Sequence, residues 1–403
     1  MIITGVDGIR FEPDRSITRA EFTAILVRAL GLQAEVGESV PDDLITREQV
    51  MSIMERAMAL TGLDSVDQMI EVDELLSRFK DGFEAATYAR IQDGYSVVEL
   101  LDTESGDYAQ LVPEVGGNLI RFLSSGRELL AAPGSIHDLR ASETMYGTPI
   151  LFPPNRVQGG SFTFKGRPYQ LPINEQPDRH LHGELARRSW EVVEWGGTEA
   201  QGAYVVLRFR YSDHKDMLTY FPHPLVFNVT ISLLGGRLRL DGVIVNEGVD
   251  EAPFAFGLHP YFNLPGGQVL LQAPAAMEWP ISSFTFIKGA PADTERATEL
   301  RAGLPLDRIA PLGSAMMELQ EGEERICRLQ MIEEGYTIAY SFGDTFPFLL
   351  IFRPNWSESI CLEPYSCLTD AFNLPYPPEM TGVRGIAPGE RVTFETCMWV
   401  EQL

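Results

Sequence analysis

Two side chains in this 403-residue sequence combine types and settings suited to moving a proton. His259 stands between apolar, aromatic-rich runs in Phe256-Gly257-Leu258-His259-Pro260-Tyr261-Phe262-Asn263-Leu264, and Pro265-Gly266-Gly267 closes the segment. A short strand that breaks at Pro260 would deliver the imidazole to the rim of an apolar cleft. Glu363 lies in Cys361-Leu362-Glu363-Pro364-Tyr365, where a proline and apolar neighbours make a short, partly desolvated setting. A carboxylate with a reference pKa of about 4.3 is ionised at neutral pH and can act as a base. A carboxylate nearby would favour the protonated imidazole, an acid. Taken singly, each residue has a plainer reading: a core histidine bonded to a backbone carbonyl, and a glutamate capping a strand end.

Other chemistries find less support. His137, His180, His214 and His223 lack metal-ligand spacing, and His180 with His182 offers too few ligands for zinc, so no metal is expected. No GxSxG motif is present for nucleophilic hydrolysis. Cys327, Cys361, Cys367 and Cys397 contain no CxxC pair and read as reduced, buried thiols, which leans towards a reducing compartment.

Two further segments, Phe152-Pro153-Pro154-Asn155-Arg156 and Leu181-His182-Gly183, precede the His259 and Glu363 segments. In this order the four resemble the aldose 1-epimerase (galactose mutarotase) family, over roughly residues 95–403. The resemblance implies a large antiparallel β-sandwich that interconverts the α and β anomers of a hexose and needs no cofactor. One group protonates the ring oxygen while another removes the C1 hydroxyl proton; the ring opens, C1 rotates, and the roles reverse on closure. It assigns the acid to His259 and the base to Glu363. His182 would bind sugar hydroxyls near the reaction centre, and Arg156, with Asn155 beside it, would hold hydroxyls through its rigid donor fork. Tyr261, Trp279 and Phe372 are candidate stacking faces for a pyranose, although strand core explains each equally well. Room for the sugar suggests roughly 5–8 Å between the tips of His259 and Glu363.

The sequence departs from the family in one respect. The acidic residue of a Tyr-Asp-His-like segment is absent between Ala273 and Cys327, where Asp307 and Glu318 are only loose candidates. Two alternatives remain open. A hexose-6-phosphate 1-epimerase would need converging cations, which Arg156, Arg179, Lys165 and Arg167 could supply. A non-catalytic, wall-tethered carbohydrate-binding protein would need no acid–base pair.

The elements that must position these residues are short strands. Ser96–Leu101, Tyr108–Pro113, Asn118–Leu123, Ser161–Phe164, Tyr204–Tyr211, Phe227–Leu234 and Leu238–Val245 alternate with Gly-Gly turns at 116–117, 159–160, 196–197, 235–236 and 266–267. Few helical periods interrupt them, which calls for a mainly β sandwich over residues 95–403.

Residues 1–94 read differently, as a small α-helical region. Ile17–Leu32 and Ile45–Leu60 share seven of sixteen positions, and each opens on a capping box, Thr18 with Glu21 and Thr46 with Gln49. With Gly5–Phe22 they resemble partial S-layer homology repeats, a family that binds cell-wall polysaccharide. A degenerate helical cap without a ligand is the alternative. A formal charge of −25 argues against nucleic acid and anionic membrane partners and leaves a small neutral sugar unaffected. No export signal is visible, so a cytoplasmic location is expected for the chain as it stands, and a wall-associated one if the true start lies upstream.

Overall fold

The computed structural model describes residues 85–102, 105–321 and 325–403. The helical repeats expected within residues 1–94, and wall binding through them, lie outside the described residues up to residue 84.

Antiparallel strands dominate, as the short apolar runs and glycine turns require. They form a five-stranded, a nine-stranded and a seven-stranded sheet, with three two-stranded ribbons. In the nine-stranded sheet the last strand of the chain, Arg391–Gln402, lies between Arg237–Asn246 and Tyr336–Phe342. The seven-stranded sheet runs Ala275–Trp279, Ser314–Leu319, Phe348–Phe352, Ser359–Tyr365, Gly257–Leu258, Ile150–Leu151, and Tyr261–Asn263 also pairs with Ser359–Tyr365.

Period-two patterning explains how these sheets meet. Along Gly202–Arg210 the buried side chains are those of Ala203, Val205, Leu207 and Phe209. They share one apolar cluster with Phe227 and Ile231 of the same sheet and with Leu349, Ile351 and Leu362 of the seven-stranded sheet. A core common to both sheets is the sandwich the composition calls for.

Gly235-Gly236 makes the expected tight hairpin: both residues have positive φ, and Leu234 faces Arg237 across the turn. Gly196-Gly197 does not turn. Both lie inside the strand Glu191–Thr198, and Gly196 pairs with Tyr204. The β region also starts before the boundary expected at 95. Ala85–Gln92 pairs along its whole length with Tyr95–Asp102, and the Thr87 hydroxyl donates to the Gly196 carbonyl at 2.6 Å. The four cysteines are buried and unpaired. Among the described residues no helix is long and apolar enough to cross a membrane.

Candidate active site

The strand Ser359–Tyr365 is buried at every position. Ile360 and Leu362 point into the main core, which leaves Cys361, Glu363 and Tyr365 together on the other face. Opposite runs the His259 segment, with Gly257 facing Tyr365 and Tyr261 facing Cys361. Between these two pairs the ladder is interrupted, since Pro260 has no N–H to give. The backbone of the motif bonds away from Glu363 instead: His259 N donates to the Pro149 carbonyl and Tyr261 N to the Gly147 carbonyl. His259 and Glu363 are therefore facing neighbours on one sheet surface.

Their tips are closer than the roughly 5–8 Å expected for a sugar held between them. His259 Nε2 lies 3.5 Å from Glu363 Oε2, and the two residues are 4% and 1% exposed. Cross-strand neighbours cannot stand farther apart without leaving the sheet. Burial also reverses the expected charges. It pushes the Glu363 carboxyl up to about 8, against the opposing effects of the Tyr365 hydroxyl and the Arg156 charge. It pushes the His259 imidazole down to about 3. Burial thus favours the uncharged pair, with the mobile proton on the carboxyl rather than on the imidazole.

His182 comes in from the end of Arg179–Leu181, with its ring centroid 5.1 Å from that of His259. Its Nδ1 accepts from Asn155 N at 3.3 Å, and His182 N donates to the Asn155 carbonyl at 2.8 Å. Burial, with His259 and Arg156 nearby, holds the imidazole well below its ordinary value, so the ring is neutral and offers its Nε2–H. Gly183 lets this segment come close: its φ is +65°, and a Cβ there would lie 1.9 Å from the Phe152 carbonyl oxygen.

Arg156 begins the strand paired with Arg179–Leu181, and its charge acts on His182, His259 and Glu363 alike. Glu175 grips its Nε and Nη2, each at 2.7 Å, in a bidentate pair. The same carboxylate takes Arg179 Nε at 2.7 Å. These bonds outweigh burial and hold Glu175 below its ordinary value. Arg156 Nη1, with only long 3.5 Å contacts to Asn155 Oδ1 and the Phe284 carbonyl, is the donor left for a ligand. Asn155 is locked in turn by Thr285, whose hydroxyl donates to Asn155 Oδ1 at 2.6 Å. Asn155, His182 and Thr285 all have positive φ, which concentrates backbone strain at this wall.

Glu175, Phe284 and Thr285 are additions to the site that the sequence reading did not supply, and Arg179, a candidate cation there, joins them beside Arg156. Nothing in Ser282-Ser283-Phe284-Thr285 marks a ligand, although Phe284 is 45% exposed and lies under both guanidinium groups, 5.7 Å from Arg156 and 4.2 Å from Arg179. Asp307 and Glu318 make no bond with any of these side chains among the described residues; the wall's carboxylate is Glu175, which precedes His182 rather than following it.

The proposed stacking faces are otherwise engaged. Tyr261 is 1% exposed, with its ring parallel to His259 at 4.7 Å, so it backs the imidazole instead of facing a ligand. Trp279 is wholly buried against Tyr376, and Phe372 packs on Phe162 and Phe164. His259, Cys361 and Glu363 place their potential ligand atoms within 4.8 Å of one another. Burial pushes both the Cys361 thiol and the Glu363 carboxyl up, towards their protonated forms.

Comparison with known proteins gives the family and the fold. The aldose 1-epimerase family model matches residues 100–399. The uncharacterized protein YphB of Escherichia coli (strain K12) is 28% identical over 301 residues, which are 72% of this chain and 95% of that protein. Galactose mutarotase of Rattus norvegicus is 30% identical over 124 residues, 30% of this chain and 33% of the relative. A galactose mutarotase-like protein from Clostridium acetobutylicum superimposes with a TM-score of 0.72 at 22% identity, covering 79% of this chain and 98% of its own, which shows a common fold. With a family match across three quarters of its length and the matching motifs gathered at one buried site, the chain belongs to the aldose 1-epimerase family.

Proposed function

We propose that this protein is an aldose 1-epimerase that interconverts the α and β anomers of a neutral hexose. The observation that carries this reading is the buried His259–Glu363 pair, 3.5 Å apart, in which burial favours the protonated carboxyl and the neutral imidazole. Ring opening needs one proton to give to the ring oxygen and one vacancy to receive the proton of the C1 hydroxyl. A pair with one proton has both. The two sugar oxygens share one carbon, so an acid and a base standing side by side can reach both from the same direction. Transfer of the proton from Glu363 to His259 gives the form in which Glu363 is the base and His259 the acid. Closure on the other face of C1 returns the proton and regenerates the pair.

Arg156 Nη1 and the Nε2–H of His182 are the donors suited to holding hydroxyls. The phosphorylated alternative is disfavoured by charge. Arg156 and Arg179 share Glu175, Lys165 pairs with Glu251, and Arg167 lies 3.7 Å from Asp250, so each candidate cation already faces a carboxylate. A binding protein without catalysis would have no use for two ionisable groups buried in contact.

Polarimetry of freshly dissolved α-D-glucose and α-D-galactose tests the proposal. The rotation should relax to equilibrium faster in proportion to added protein, and Glu363→Gln should abolish the acceleration. An unchanged relaxation with both sugars and with other neutral hexoses would remove the epimerase reading.

A further inference from the structure

Glu363 has a second partner that the acid–base scheme does not use. The Tyr365 hydroxyl donates to Glu363 Oε2, the same oxygen that faces His259, and this leaves Oε1 as the oxygen for a substrate. The two residues are two apart on one strand, so they share a face, and both are fully buried. The phenol ring lies over Gly257, its cross-strand partner. A Cβ at Gly257 would come within 2.4 Å of Tyr365 Cδ1 and 2.9 Å of Cε1. Gly257 has no positive φ, so close approach, not backbone conformation, is what requires glycine here. The glycine of the Gly257-Leu258-His259 run therefore serves the opposite strand.

We propose that Tyr365 is a positioning residue for Glu363, aiming and stabilising its carboxylate form, and that Gly257 is the gap that admits its ring. The groups facing Glu363 are few. His259 and Tyr261 face it from the neighbouring strand, Cys361 and Tyr365 from its own, and the Arg156 charge reaches it from the wall. Of these, Tyr261 gives its hydroxyl to the Thr144 carbonyl, and burial holds the Cys361 thiol protonated. Tyr365 is the one neighbour among the described residues that donates a hydrogen bond to the carboxyl. Such a bond favours the ionised form and so counters the burial that favours the neutral one.

The kinetic arm of the test rests on the epimerase reading; the spectroscopic arm does not. Tyr365→Phe keeps the ring and removes the donor. It should raise the pH of the alkaline limb of kcat/KM by about one unit, because the carboxyl then holds its proton longer. Gly257→Ala should move the limb in the same direction by displacing the ring, and should add little in the Tyr365→Phe background. Infrared titration of the Glu363 carboxyl band, assigned by its loss in Glu363→Gln, should show the same upward shift in Tyr365→Phe even if no sugar is turned over. Glu363→Gln should in turn move the Tyr365 phenol band, which gives a reading should the Tyr365 variant not fold. A carboxyl band and an alkaline limb both unmoved by Tyr365→Phe, or a phenol band indifferent to Glu363→Gln, would overturn the proposal. Wild-type protein that leaves anomers unchanged while the infrared shifts appear would instead count against the epimerase reading alone.

Discussion

His259 and Glu363 occupy facing positions in one antiparallel register, bracketed by Gly257 opposite Tyr365 and Tyr261 opposite Cys361. The candidate acid and base are thus held by sheet geometry, 3.5 Å apart, and not by opposite walls of a cleft. Their backbones are fixed by that register and both side chains are buried, so the pair is brought together before any ligand arrives.

Removing either partner should remove the chemistry. Glu363→Gln keeps shape and hydrogen-bonding capacity but cannot exchange the proton, so kcat should fall by about 10²–10⁴-fold. His259→Asn should fall comparably, and the double variant should lose little more, because one proton moves between two groups acting as a unit. Polarimetric kcat values for the three variants check this; losses that simply multiply would mean the residues act independently.

The pH profile should reflect the shared proton. Glu363 is raised to about 8 and His259 lowered to about 3. Between these the pair carries one proton; above about 8 it carries none and has no acid. A plot of kcat/KM against pH should be level through neutrality and fall roughly tenfold per unit on the alkaline side. A decline that begins near the ordinary histidine value would show that His259 is protonated at rest.

Stability should carry the same signature. A carboxyl raised from 4.5 to about 8 in the folded protein contributes its full stability below pH 4.5 and loses it as pH rises through that window. Glu363→Gln does not titrate, so its melting temperature should gain on wild type from pH 4.5 towards 8, by at least about 2 °C at neutrality. Calorimetry at several pH values measures this, and a difference that does not change with pH would contradict the raised carboxyl.

Glu175 should govern how the sugar is held. Glu175→Gln leaves Arg156 and Arg179 without their shared carboxylate, so Arg156 loses its fixed orientation and the wall gains a net positive charge. KM for a neutral hexose should rise by about 10-fold, with a smaller change in kcat. Glucose 6-phosphate should improve as a substrate relative to glucose, because two released guanidinium groups attract a phosphate. Steady-state kinetics with both sugars decide; an unchanged preference would show that the cations do not face the sugar.

The point at which the chain can be shortened is set by the first strand. Removing residues up to 84 takes away no acid, base or sugar-binding candidate and should leave turnover unchanged. Starting the chain at Ile91 instead would cut through Ala85–Gln92 and delete the Thr87 bonds to Gly196 and Tyr204. That shorter chain should melt lower and lose activity through unfolding. Equal melting temperatures for the two would show that this strand adds nothing to the sheet.

Residue type and local pattern, both present in the linear sequence, determined the β class and the tight turn at Gly235-Gly236, while the four motifs in order, through their resemblance to a family, implied which residues would meet. His259, Glu363, His182, Arg156 and Asn155 do converge, because each motif ends a strand or turns sharply beside one. What the sequence left undecided is what depends on register and burial. That Tyr261 backs His259, that Gly257 makes room for Tyr365, and that Glu363 stands directly opposite His259 follow from the pairing of segments about a hundred residues apart. Glu175 and Thr285 reach the site only because separate loops fold against Arg156 and Asn155. The charge reversal within the acid–base pair has the same origin. A carboxyl and an imidazole keep their ordinary values on an open chain, and only burial in the folded chain withdraws the water that would stabilise their ionised forms.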